Sequence, residues 1–348
     1  MGRLSWALIA LTGCNSILGI GDPGSAPADG PAYSCPIEGT DLCAYEAPYG
    51  PIRITTDTTI DTTSDCNVVL IAPGGGSVCV LYGSTIDVIA KLRGRGARPL
   101  VLAATGAITI SGKVDVSSNQ ISGRGAASAA NDLCATYQNV TYGGGAGGSF
   151  HGSGGNGGTG MGSSANTGIV AQAGTTAAPT NLTGGCDAVG TADIGGGQGA
   201  GGGAVELASG TSIEIGATGV VSANGEGGNF SGGGAGGMIE LSAPSIAIHG
   251  VIVANGGGGG QGIGAGFTAV KGADGADSAT PALGGFGGAQ ASGGAGGAGS
   301  TPNGTKGSDA NVMNYGGGYG GGGVGFIVID TPPSDTSGGV ISPTPTSS

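Results

Sequence analysis

The sequence predicts an all-β protein, an irregular right-handed parallel β-solenoid (β-helix) with Gly-rich loop insertions. Three observations carry that expectation. Short alternating stretches of Val, Ile and Leu recur through the interior, and three of them can be laid over one another. Glycine makes up 85 of 348 residues, against roughly 7% in an average chain, and it gathers in blocks that run directly into those stretches. No strict Gly-x-y period is present, which excludes a collagen helix.

The chain begins MGRLSWALIALTG. One charge, Arg3, precedes an apolar run from Leu4 to Leu11, and small residues follow, the order of a secretory signal. The run is far shorter than the roughly 20 apolar residues of a membrane-spanning helix. The segment Leu11-Thr12-Gly13-Cys14 resembles the lipobox of bacterial lipoproteins. That resemblance implies a signal over residues 1–13, acylation of Cys14, and attachment to a membrane of the bacterial cell envelope. Asn15 stands where an inner-membrane retention signal carries Asp, which points to the outer membrane. Residues 14–45, rich in Gly, Pro, Ser and Ala, read as a tether.

Six cysteines remain beyond Cys14: Cys35, Cys43, Cys66, Cys79, Cys134 and Cys186. An even number in an exported chain suggests disulfides. Sequential pairing is expected, with Cys134 to Cys186 closing a Gly-rich segment. No pair has C-x-x-C spacing and no histidine lies close to one, so no zinc site and no other metal site is expected.

The body is expected over residues 46–330. Its repeats are Pro99 to Asn119, Gly203 to Asn224 and Gly237 to Asn255, each with three short alternating stretches and each ending in Asn. Leu102, Leu207 and Leu241 correspond, as do Ile108, Ile213 and Ile246. Leu102 to Asn119 and Leu207 to Asn224 both span 17 steps, whereas Leu241 to Asn255 spans 14. Val78 to Gly96 is a weaker version, and Phe326 to Ile329 starts another. Period-two alternation with β-branched residues means strands with one buried face. Strands of three or four residues are too brief for a flat sheet alone, but stacked as coils they bury their inward side chains against the next coil. A β-sandwich is the main rival, and it would use longer strands and fewer glycines.

Gly-rich blocks start at Gly143, Gly195, Gly232, Gly256 and Gly316. Glycine is entropically costly to order, which leaves two arrangements open. The blocks either leave one edge of the solenoid as floppy loops, or pack as polyproline-II-like strands whose missing Cβ lets backbones approach. Phe150, Phe230, Phe267 and Phe286, with Tyr142, Tyr315 and Tyr319, lie in or beside them, placed to pin Gly strands together or to form surface patches. A third reading leaves much of the chain disordered. The end, residues 331–348, has four prolines and little to bury, and reads as a disordered tail.

The pattern of GGGAGG leading into a strand, of SANG or VANGG ends and of a closing GGGGVGFIVI resembles Gly-rich surface proteins of myxobacteria, over roughly residues 98 to 330. That resemblance implies a surface location and brings no catalytic residue with it.

The formal net charge is −12, and it becomes −13 once residues 1–13 and Arg3 are set aside. So acidic and sparsely charged a chain argues against nucleic-acid binding. Lys91, Arg93, Arg95 and Arg98 are the local exception. They read as a solvated turn, with a patch for acidic polysaccharide as the sharper alternative.

The candidate catalytic residues are Glu206 and Glu240, which take the same place in two aligned repeats. Stacked strands lie roughly 4.7–4.9 Å apart, near the ~5–5.5 Å of the two carboxylates in a retaining glycosidase. Alternation also places both on the solvent face as plain stacked charges, the reading preferred here. Asn119, Asn224 and Asn255 fit corners or an amide ladder. Asp57, Asp61 and Asp65 could bind calcium, but fit a Thr-rich edge strand better. His151 and His249 are isolated, no nucleophile elbow or phosphate loop is present, and no cofactor is implied. The function expected is structural or adhesive, with surface polysaccharide or other envelope proteins as partners. The alternative is a polysaccharide-acting β-helix enzyme, a glycoside hydrolase or lyase.

Overall fold

The computed structural model describes residues 50–71, 76–128, 134, 143–162, 165–189, 198–264, 270–286 and 290–346. Cys14, Cys35 and Cys43, with the expected signal and tether, lie outside them. The described residues are all-β, with no helix. The strands come in triplets. The first is β1 (Ile52–Ile54), β2 (Thr58–Asp61) and β3 (Val68–Ile71), and the second is β4 (Ser77–Gly83), β5 (Ile86–Val88) and β6 (Lys91–Arg95). Next come β7 (Leu100–Ala104), β8 (Ile108–Ile110) and β9 (Lys113–Asp115), then a small hairpin of β10 (Gly160–Met161) and β11 (Ala165–Asn166). The series continues with β12 (Ala204–Ser209), β13 (Ser212–Ile215) and β14 (Val220–Ser222), then β15 (Met238–Ser242), β16 (Ser245–Ile248) and β17 (Val251–Val253). It closes with β18 (Phe326–Ile329) and β19 (Val340–Ser342).

Triplet members separate into three open sheets, β1-β5-β8-β13-β16, β2-β6-β9-β14-β17-β19 and β3-β4-β7-β12-β15-β18. Pairing within them is parallel except between β3 and β4. The matched leucines and isoleucines fall in register, Leu102 beside Leu207 beside Leu241, and Ile108 beside Ile213 beside Ile246. These side chains, fully shielded from solvent, form one apolar core between the three sheets. Burying each contributes roughly 1.5–3 kcal/mol, and the alternation in every short strand supplies one or two of them.

Register also shows that the equal 17-step spans of the first two repeats conceal different corners. The corner between β8 and β9 is Ser111–Gly112, whereas the one between β13 and β14 is Gly216–Gly219. The two extra residues displace the expected asparagine match. Continuing the pairing of Asp115 with Ser222 sets Ser117, not Asn119, beside Asn224. Asn119 instead caps its own turn, accepting the Ile121 and Ser122 amides.

Two sequence expectations are overturned. The chain end is not a disordered tail through its described residues: Asp335 bridges Ala247, β19 adds to the edge of its sheet, and Thr346 bridges Val328. Val340-Ile341 retains a short strand pattern, Ile341 packs on the main core, and the flanking prolines are compatible with an edge position. Lys91, Arg93 and Arg95 are not a solvated turn but strand β6, with Arg93 buried.

The Gly blocks take the second of the two arrangements. Their hydrogen bonds repeat every third residue, the period of a polyproline-II helix, and the segment 318–325 shows the full pattern. Gly318, Gly321 and Val324 donate to Ser308, Thr305 and Pro302, while Tyr319, Gly322 and Gly325 donate to Gly260, Gly257 and Ala254. Gly320 and Gly323 donate to Gly145 and Gly148. The carbonyls serve three further segments, accepting from Gly158, Gly155 and Gly152, from Gly294 and Gly297, and from Gly233 and Gly236. One extended segment thus sits among six neighbours. A Cβ on Gly321 would fall inside 3.0 Å of backbone atoms in the segment around Ala295, so only glycine admits this spacing. The entropic cost of ordering it is offset by a backbone whose donors and acceptors are satisfied without water. Phe150 helps to pin this lattice, packing edge-on against Phe326 at 5.0 Å, whereas Phe286 is exposed.

Cys66 pairs with Cys79, with Cα atoms 5.1 Å apart, and Cys134 pairs with Cys186 at 5.4 Å. Both follow the sequential order, and the second closes the Gly-rich segment expected.

Candidate functional site

Glu206 and Glu240 are direct register partners on β12 and β15. Their row runs Val101, Glu206, Glu240, Val328 across four strands. Val205, Leu207, Ile239 and Leu241 on either side belong to the core, so both glutamates point to the opposite face of that sheet. That face is not open solvent, which corrects the solvated reading. Leu182 packs both on the cluster containing Val80, Tyr82 and Val101 and on the one containing Met238, Phe326 and Val328. Ala178 joins it on the second cluster. Alternation identifies which side of the sheet a residue takes, but not that the chain returns later to cover it.

Half-buried between apolar clusters, the two carboxyls resist ionisation. Glu206 is pushed up to about 8, first by burial, then by Glu240 and by Asp330. Glu240 is pushed up to about 7, by burial and then by Asp330. Asp330 follows directly on β18, and sequence reasoning did not associate it with the pair. Its signal was available, because it stands two residues past the position aligned with Glu240 and therefore on the same face.

A second polar group clads the outer face of the sheet containing β6, β9 and β14. Asp115 is buried with Lys91 Nζ at 2.9 Å and Arg93 NH1 at 3.2 Å. Lys113 Nζ reaches Asp277 at 2.6 Å, and Asp277 also accepts from Ser222 and Asn224. Burial would raise the Asp115 carboxyl, but the charges of Lys113 and Arg93 and the contact with Lys91 outweigh it and hold it below its usual range. Arg93 donates to the Gly123 carbonyl, and its Nε has no hydrogen-bond partner. This group locks register and joins the insertion around Asp277 to the sheet. The amide ladder is shorter than expected: the Asn255 amide donates to Asn224 Oδ1, and Asn255 Nδ2 holds the Ala276 and Ser278 carbonyls.

Of the remaining candidates, Asp61 and Asp65 meet in one turn, and the others stand apart. His151 meets the Thr175 carbonyl and the Phe326 ring, and His249 meets the Ser337 carbonyl. Asp57 and Asp61 each accept a backbone amide, and Asp65 accepts the Asp61 amide and the Ser64 hydroxyl. Among the described residues, no group of three or more His, Cys, Asp or Glu is arranged to hold a metal ion. Comparison with protein families, with curated proteins and with solved structures finds no match for this chain.

Proposed function

We propose that the chain is a lipid-anchored protein of the bacterial cell envelope, at the outer membrane, with a structural or adhesive role. Its body is read as a right-handed parallel β-solenoid that carries a Gly lattice outward. The observation that supports this reading most is the polar economy of the lattice. Along residues 318–325 the backbone donors and acceptors serve six neighbouring segments, an arrangement suited to a stiff projecting body rather than to a moving lid. Three strands per turn in constant order support the solenoid, and parallel crossovers favour the right-handed form. The Cys66–Cys79 and Cys134–Cys186 pairs fit an oxidising compartment, and Leu11 to Cys14 supplies the anchor. Surface polysaccharide or other envelope proteins are the partners this reading implies.

The enzyme alternative, with Glu206 and Glu240 as the acting carboxylates, is disfavoured by the segment that covers them. A retaining glycosidase needs one carboxylate ionised as nucleophile and one protonated as acid. Both must also reach the sugar, and here Leu182 and Ala178 pack over the row.

The reading is tested by expressing the chain in a bacterial host with an alkyne-tagged fatty acid. Label should enter the native chain, fractionate with the envelope, and vanish in Cys14→Ala. Unlabelled native protein would sink the anchor. Cleavage of a polysaccharide that Glu240→Ala abolishes would restore the enzyme.

A further inference from the structure

The covered glutamate pair has a consequence independent of anchoring or adhesion. Two carboxylates in register on adjacent parallel strands cannot both be charged there without mutual repulsion in a poorly hydrated place. The cover contributes nothing to neutralise them: residues 174–183 read GTTAAPTNLT and contain no titratable side chain. The flanking positions on β7 and β18 are Val101 and Val328. The other titratable groups on this side are Asp330, which adds negative charge, Tyr82, buried among the apolar side chains beside Val101, and His151, tilted against the Phe326 ring. Within the cover, Asn181 Oδ1 is buried without a hydrogen-bond donor. A protonated carboxyl can donate a hydrogen bond and a carboxylate cannot.

We propose that Glu206 and Glu240 share a proton across β12 and β15 and form a pH latch for the segment 174–183, seated while the pair carries at most one charge and loosened once both carboxylates ionise. Apolar contact through Leu182 and Ala178 holds the cover down. Full ionisation draws water to the row between those contacts and opposes it. The latch therefore opens on the alkaline side. Anchorage at the other end of the cover, where Thr175 donates to the Phe150 carbonyl at 2.8 Å, confines the movement to this segment.

The test uses the 348-residue chain with its disulfides intact. Protection of the Leu182 side chain from hydroxyl-radical oxidation, referenced to the exposed Leu283, is followed from pH 6 to pH 9. The wild type should lose that protection by roughly twofold or more over this range. E206Q/E240Q should keep its protection at pH 9. Should the double variant not fold, E240Q alone decides: with one carboxyl left the pair never carries more than one charge, so protection must persist to pH 9. A wild-type cover equally protected at both ends of the range, or an E240Q cover that still loosens by pH 9, would overturn the latch.

Discussion

At the residue scale, two carboxylate groups pull stability in opposite directions with pH. Asp115 is depressed by Lys113, Arg93 and Lys91, so its contribution is present above the unfolded carboxylate range and is lost as pH falls through its folded value. Glu206 and Glu240 are raised to about 8 and about 7. Their contribution is complete below the unfolded value near ~4.3 and is lost progressively as pH rises toward those folded values. The two windows leave an acidic optimum at roughly pH 5. Thermal melts across pH 3 to 9 should show a maximum there and a decline toward pH 8. A melting temperature that climbs from pH 5 to pH 8 would contradict the burial of the pair. The position of Glu206 and Glu240 was legible in the sequence because strand periodicity fixes which side chains share a face. Their environment was not, because Leu182 lies 24 residues before Glu206 and carries no mark of where it packs.

At the element scale, the short strands could be read from alternation, and the matched Leu and Ile positions fixed their registers. Corner lengths could not be read with equal certainty, because glycine and serine allow either two or four residues at a corner without disturbing the strands. That freedom is why Ser117 stands where Asn119 was expected. The chain end was misread for a related reason. Its prolines argue against a central strand, and they leave an edge strand such as β19 untouched. Glycine blocks posed the hardest question, since composition alone does not separate a loose loop from a packed polyproline-II segment. Packing makes a sharp distinction between individual glycines. Gly321→Ala should cost about 3 kcal/mol, because its Cβ meets backbone that cannot yield. Gly50→Ala, with nothing within 4 Å of the added carbon, should change stability by less than about 0.5 kcal/mol. Denaturant unfolding of both variants measures the contrast, and equal effects would remove the case for close-packed Gly segments.

At the scale of the whole molecule, three sheets and the Gly segments form one hydrogen-bonded continuum. The runs ending at Gly203, Gly237 and Gly325 lead straight into β12, β15 and β18, and they pair side by side before the strands begin: Met238 donates to the Gly203 carbonyl and Phe326 to that of Gly237. The apolar core holds the sheets, while backbone bonds hold the lattice, so the molecule has two kinds of interior. Only the first was visible as hydrophobic pattern. The most direct test of this account is amide hydrogen exchange along residues 316–325 compared with β12. The account predicts protection in the glycine segment of the same order as in the strand. Exchange there at the rate of an unstructured peptide, with β12 still protected, would contradict it.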